Sequence, residues 1–134
     1  MALYITPLFA GLLTLLYIFL SVRVIGVRKS ERIGLGDGGH GGLQRRMRAH
    51  GNFAEYTPLG LILMLLLELT GATPWLLWAL GVGLFTGRAL HAYSVSQEPE
   101  PLRFRIAGMA LTITVLVVAA LMLLTRSANG VLTG

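Results

Sequence analysis

Three polar residues, Arg48, Asn52 and Glu55, stand where a basic segment passes into an apolar stretch, Gly51 to Thr70. On a helix, the spacing i, i+4 and i+7 puts their three side chains on one face. An ionisable group inside a membrane-spanning helix costs roughly 2.5–3.5 kcal/mol, so such a group normally faces a partner or a ligand. The pattern therefore predicts a binding site on this face.

The elements that must position these residues are membrane-spanning helices. The chain has 134 residues, of which 54% are hydrophobic and 13% charged, so it is far more apolar than a soluble domain. Apolar runs, each long enough for a bilayer core of roughly 30 Å, cover about residues 3–25, 51–70, 75–93 and 105–124, with a polar loop at about 26–47. We therefore predict one domain, residues 1–134: an all-α integral membrane four-helix bundle with antiparallel, up-down helices.

The basic residues predict the orientation of the bundle. Of the eleven lysines and arginines, all but Arg126 fall on one predicted side of the membrane. Because these residues collect on the cytoplasmic side, we expect both polar loops in the cytoplasm and both termini in the periplasm, at a bacterial inner membrane. The basic residues also suit contact with membrane lipid headgroups. No groove-reading or base-stacking element accompanies them, so nucleic acid is not an expected partner.

The predicted topology brings a collar of polar side chains to one depth on the cytoplasmic side. Arg88 and His91 are neighbours on the third span because they stand at i and i+3. A collar rich in arginine with one carboxylate suits a small anionic ligand that carries an amine, and glutathione fits that description. The full set is Arg23, Arg48, His50, Asn52, Glu55, Tyr56, Arg88, His91, Tyr93, Arg103 and Arg105.

Part of this set resembles a known family signature. The pattern Arg48-Ala49-His50-x-Asn52-x-x-Glu55-Tyr56-x-Pro58 is similar to the second-helix motif of the MAPEG family, the membrane-associated proteins of eicosanoid and glutathione metabolism. A weaker similarity covers residues 88–105, and the chain length and span count also agree. The resemblance implies a homotrimer that binds glutathione between adjacent subunits near the cytosolic surface.

The resemblance also implies the residues that bind glutathione. Glu55 would take the amine of the ligand, and the arginines would take its carboxylates. Arg23 and His50 match positions that the family supplies from the neighbouring subunit. The implied glutathione-binding residues are Arg23, Arg48, His50, Asn52, Glu55, Tyr56, Arg88, His91 and Tyr93.

The implied chemistry is activation of the glutathione thiol for attack on a lipophilic electrophile or hydroperoxide. A free thiol with a pKa near 8.5 is only slightly ionised at neutral pH, so the thiolate must be stabilised. Similarity to the arginine at the start of the fourth helix assigns this catalytic role to Arg105, with Arg103 as the alternative because the loop length leaves the register open. Where eukaryotic members carry a tyrosine, this chain has Val95, and the nearby Tyr93 lies on another face of the helix.

Two other classes of function remain open at this point. One is a non-catalytic membrane protein of the same fold that binds lipid or a partner protein. Such a protein would be expected to lose the arginine collar, which this chain retains. The other is a small proton-coupled exporter that uses Glu55. Such an exporter is expected to carry a carboxylate in its first span, and the first span of this chain has none.

Three further features predict structure rather than a site. The segment Gly34–Gly42 matches G-x-G-x-x-G, but without a βαβ unit it is expected to be a flexible connector with a solvated His40. Glu68 lies about 20 Å along the helix from Glu55, so it is expected to be a structural carboxylate near the opposite surface, at the depth of Arg126. The absence of cysteine excludes disulfides and thiolate metal sites, and no metal site is predicted.

Overall fold

The computed structural model describes residues 3–133, and side chains as far as Val131. Within that range the chain forms four helices and no strand: α1 (Ile5–Glu31), α2 (Gly41–Leu69), α3 (Pro74–Val95) and α4 (Leu102–Thr133). The all-α prediction is confirmed. By length and composition, three of the described helices can cross a membrane: Ile5–Glu31, Gly41–Leu69 and Leu102–Val131.

The helix α3, predicted as the third span, is not among these three, and it carries Arg88 and His91. Near its end, Arg88 contacts Asn52 of α2 and Thr112 of α4. The far ends of α2 and α4 also meet each other, because Arg126 donates a hydrogen bond to the carbonyl of Thr70 at 2.8 Å. Successive helices therefore run antiparallel, and the charged part of α3 is enclosed by its neighbours.

The carboxylate of Glu68 joins the end of α2 to the start of α1. It accepts hydrogen bonds from the backbone N–H groups of Tyr4 and Ile5 at 2.9 Å each and of Thr6 at 2.7 Å. The first N–H groups of a helix have no partner within the helix, and the helix dipole favours a negative charge there. The structural role predicted for Glu68 is confirmed, and its partner is the N-terminus of α1.

The connection between α1 and α2 is shorter than the polar loop predicted at residues 26–47. The helices continue past the apolar runs into the basic segments, leaving only residues 32–40 between them. Arg32 ends α1 in the left-handed region with φ of 56°, and Gly36, Gly38 and Gly39 also have positive φ. His40, predicted to be solvated, instead accepts the backbone N–H of Leu43 at 3.0 Å and caps α2.

The helices α3 and α4 cross at a pair of glycines. A Cβ placed on Gly108 would lie 2.7 Å from the carbonyl oxygen of Gly87 and 2.7 Å from the backbone nitrogen of His91. Small residues allow helix backbones to approach this closely. The crossing therefore fixes His91 on α3 against the first turns of α4, where Arg105 lies.

Candidate functional site

A cleft of about 400 Å³ opens where α2, the end of α3, the α3–α4 loop and the start of α4 meet. Of the residues predicted for the site, the structure brings four together in this cleft: Arg48, Asn52, His91 and Arg105. The complete lining is Gly41, Gln44, Arg45, Arg48, Asn52, His91, Val95, Glu98, Glu100 and Arg105.

Arg88 lies behind the cleft wall and holds Asn52 in place. Its side chain is only 1% exposed, and its Nη1 donates to the Asn52 side-chain oxygen at 2.7 Å. Its Nε donates to the hydroxyl of Thr112 at 3.0 Å, and its guanidinium lies 5.2 Å from the ring centre of Tyr56. Arg88 and Tyr56 thus support the site from inside the subunit, and neither lines the cleft.

An ion-pair row crosses the cleft between α2 and α4. Glu100, from the α3–α4 loop, pairs with Nη1 of Arg45 at 3.4 Å and with Nη1 of Arg105 at 3.3 Å. The Glu100 side chain is 15% exposed, whereas that of Arg105 is 49% exposed. Glu98 lies 3.7 Å from Nε of Arg45 at the more open edge. Arg105 is therefore available to a ligand while being held by Glu100.

Glu55 lies outside this cleft, on the lipid- or partner-facing side of α2. Its side chain is exposed in the single subunit. Among the described residues it has no hydrogen-bond or ion-pair partner. It is surrounded on that face by exposed apolar side chains, including Leu59 and Ile62. Within the described chain, the carboxylate of Glu55 thus lacks the partner that a position in a membrane-spanning helix normally requires.

The remaining predicted residues lie elsewhere in the subunit. Arg23 donates a hydrogen bond to the hydroxyl of Ser96 at 3.1 Å. His50 lies 3.0 Å from the hydroxyl of Ser21, and its ring stacks on that of Tyr17.

Tyr93 is exposed, and its ring meets that of Phe104 edge to face. The guanidinium of Arg103 lies over the same Phe104 ring. These four predicted residues do not line the cleft: Arg23, His50, Tyr93 and Arg103.

Two polar residues of the cleft were missed in the sequence: Gln44 and Arg45. Gln44 and Arg45 stand four and three residues before Arg48, so a helical pattern would have placed all three on one face. That signal was lost because the residues as far as about 47 were predicted to form a polar loop, whereas α2 begins at Gly41. The pairing of Glu100 with Arg45, 55 residues earlier in the chain, carries no signal in the sequence.

The amino-acid sequence is similar to those of known proteins. The model of the MAPEG family matches residues 6–125, nearly the whole chain. The chain belongs to the MAPEG family. Similar proteins include Inner membrane protein YecN from Escherichia coli K12 and from Escherichia coli O6:H1. Each is 37% identical to this chain over 108 residues, which cover 81% of this chain and 81% of the relative.

The membership confirms the resemblance carried by the residues from Arg48 to Pro58. This MAPEG protein is an integral membrane protein, since three of its described helices are long and apolar enough to span a membrane and the family match includes residues of all four helices. The arginine-lined cleft lies inside the matched region.

Proposed function

We propose that this MAPEG protein is a membrane-bound glutathione-dependent transferase or peroxidase that acts on a lipophilic electrophile or hydroperoxide. The observation that carries the proposal is the cleft in which Arg45, Arg48 and Arg105 converge from two helices. Its volume of about 400 Å³ is within the range of small-molecule sites, roughly 300–1,000 Å³.

The charges of the cleft complement those of glutathione. Three arginines and two glutamates line it, which is a net charge of 3 − 2 = +1. Glutathione with a neutral thiol has two carboxylates and one ammonium group, and therefore carries one net negative charge. Arginine binds carboxylates through paired, charge-assisted hydrogen bonds. Asn52, held by Arg88, adds a polar group of fixed orientation to the wall.

The chemical step in this proposal is stabilisation of the glutathione thiolate by Arg105. A guanidinium beside a thiol lowers its pKa because it favours the anion, and the thiolate is the nucleophile. A shift of the thiol pKa by one corresponds to about 1.4 kcal/mol. Arg105 enters the cleft from the first turn of α4, whereas Arg103 lies over Phe104 and does not line it.

We further propose that the protein assembles as a homotrimer in which neighbouring subunits complete the site. The unpartnered Glu55 on an apolar face of α2 supports this arrangement, because an adjacent subunit would shield it from lipid. Arg23 and His50, which lie outside the cleft of their own subunit, are then available to a neighbour's site. Native mass spectrometry in detergent should show trimers, and a spectrum of monomers or dimers alone would refute the assembly.

The proposed location is a bacterial inner membrane with the cleft facing the cytoplasm. The YecN relatives are named as inner membrane proteins, which supports the membrane, and the basic residues around the cleft support the orientation. Reporter fusions after Gly134 test it. A phosphatase fusion should be active and a fluorescent fusion dark, and the reverse result would invert the topology.

Calorimetry on the purified protein tests the function itself. Glutathione should bind, and Arg48→Ala should weaken binding by about 2–5 kcal/mol because a charged ligand group loses its desolvated partner. Arg103→Ala is the matched control and should bind as the wild type does. A panel of lipophilic electrophiles and hydroperoxides then separates conjugation from peroxide reduction. Absence of glutathione binding by the wild type would refute the proposal.

A further inference from the structure

The outer face of α1 changes from apolar to basic along one stripe of side chains. Ile18, Val22, Ile25 and Lys29 follow one another at intervals of four, three and four residues, so their side chains share one face of the helix. All four are exposed. The buried residues of α1 lie on its opposite side: Thr6, Phe9, Leu13 and Leu20. The stripe therefore faces away from the rest of its own subunit.

The basic end of this stripe borders an open groove of about 380 Å³ where α1 ends. Arg28 is held at the groove, because its Nη1 donates a hydrogen bond to the carbonyl of Ile33 at 3.3 Å. Lys29 and Arg32 are exposed and form no ion pair with any described residue. The groove thus has three cations and no carboxylate in its lining, which is Ile25, Arg28, Lys29, Arg32, Ile33 and Gly34.

The apolar part of the stripe has the depth of one lipid leaflet. Eleven residues separate Ile18 from Lys29, which is about 16 Å along the helix. One leaflet contributes half of a bilayer core of roughly 30 Å. The cations at the end of α1 therefore lie at the depth of the lipid headgroups, directly beyond apolar side chains at the depth of the acyl chains.

We propose that the stripe and the groove together form a binding site for a phospholipid whose headgroup carries a net negative charge. The phosphate binds in the groove between Lys29 and Arg32, with Arg28 at its wall. One acyl chain lies along Ile25 and Val22. Each part of the lipid thereby meets side chains of matching character at its own depth in the membrane.

The charges of the groove determine which headgroup it selects. A zwitterionic lipid would bring its ammonium group among three cations, with no carboxylate in the lining to bind it. Glu31 is close in the sequence, but it accepts a hydrogen bond from Ser30 and does not line the groove. The groove shares no residue with the arginine-lined cleft, so this site does not rest on the proposed glutathione function.

The test titrates delipidated protein in neutral detergent with phosphatidylglycerol or with phosphatidylcholine of the same acyl chains. Native mass spectrometry counts the lipids retained by each protein. The wild type should prefer phosphatidylglycerol, and the preference should fall as ammonium acetate is raised from about 0.1 to 1 M, because salt screens exposed charges. The double variant Lys29→Gln, Arg32→Gln should bind phosphatidylglycerol about 30-fold more weakly, since each cation near an anionic lipid surface contributes about fivefold.

Arg103→Gln is the matched control, because Arg103 is an exposed arginine on the same predicted side of the membrane. It should bind phosphatidylglycerol as the wild type does. Lys29→Gln alone changes one exposed side chain and should weaken binding about fivefold. This single variant tests the site even if the double variant does not fold.

Four outcomes would overturn the proposal. The first is equal retention of the two lipids by the wild type. The second is an unchanged preference in the Lys29 variants, which would place the lipid elsewhere. The third is displacement of the lipid by glycerol phosphate at equal concentration, which would make the groove a site for free phosphate. The fourth is a smaller oligomer of the double variant with unchanged lipid per subunit, which would make the stripe an interface between copies of the chain.

Discussion

Arg88 on α3 donates a 2.7 Å hydrogen bond to the side chain of Asn52 on α2 from a position that is almost fully buried. The bond connects the interior of the bundle to the wall of the cleft. A buried guanidinium needs partners for its N–H groups, and here an amide oxygen, the hydroxyl of Thr112 and the Tyr56 ring provide them. The same side chain therefore contacts both the core of the bundle and the wall of the cleft.

Arg88→Ala is expected to destabilise the protein by about 2–4 kcal/mol, because it leaves a cavity and strands the groups that Arg88 bonds. Glutathione affinity should fall as well, since Asn52 loses its orientation. Thermal unfolding in detergent and calorimetry measure the two effects. Arg103→Ala removes an exposed arginine and should change stability by less than about 0.5 kcal/mol. Equal stability losses at the two positions would contradict the role of Arg88.

Glu68→Gln is expected to lower stability by about 1–2 kcal/mol, because the N-terminus of α1 loses its anionic cap. Hydrogen exchange should accelerate at the backbone N–H groups of Ile5 and Thr6, which bond Glu68. Glutathione affinity should not change, since Glu68 lies near the opposite surface. Glu55→Gln is the paired variant, which should weaken binding if a neighbouring subunit brings Glu55 to the site. Equal losses of affinity at the two positions would refute this separation.

Arg105→Ala is expected to leave glutathione affinity within a few fold but to raise the pKa of the bound thiol. The other arginines of the cleft still bind the ligand carboxylates, whereas the thiolate loses its cation. Turnover at neutral pH should drop by roughly 10- to 1000-fold. The thiolate absorbance of bound glutathione, followed against pH, measures the shift. A larger effect for Arg103→Ala would move the catalytic role to Arg103, and no effect at either position would refute the arginine mechanism.

Gly108→Ala is expected to destabilise the bundle by about 1–3 kcal/mol, as over-packing does elsewhere. The new methyl group would lie 2.7 Å from backbone atoms of Gly87 and His91, which cannot move aside as a side chain can. Glutathione binding should weaken because the α3–α4 contact positions His91 and Arg105. Gly11→Ala is the control: a Cβ there meets nothing within 4 Å, and the helix should gain up to about 1 kcal/mol. Denaturation in detergent compares the two variants, and equal stability would contradict the close crossing.

The sequence by itself determined the features that depend on local pattern. The apolar runs predicted the four helices. The helical spacing of Arg48, Asn52 and Glu55 predicted one common site face, but the structure places only Arg48 and Asn52 in the cleft. Both predictions follow from periodicity and composition within a single helix. Even so, residues 41–47 were predicted to belong to a polar loop although α2 begins at Gly41, because the polar turns of a helix beyond the membrane have no hydrophobic signal.

Only the tertiary structure decided which polar groups meet. Arg88 turns inward to Asn52, 36 residues away, and Glu68 caps a helix that begins more than 60 residues earlier. Glu100 joins Arg45 to Arg105 because the α3–α4 loop folds over α2. Such pairings depend on the crossing of helices and on the direction of each side chain within the bundle. Neither is contained in the spacing of residues along one helix.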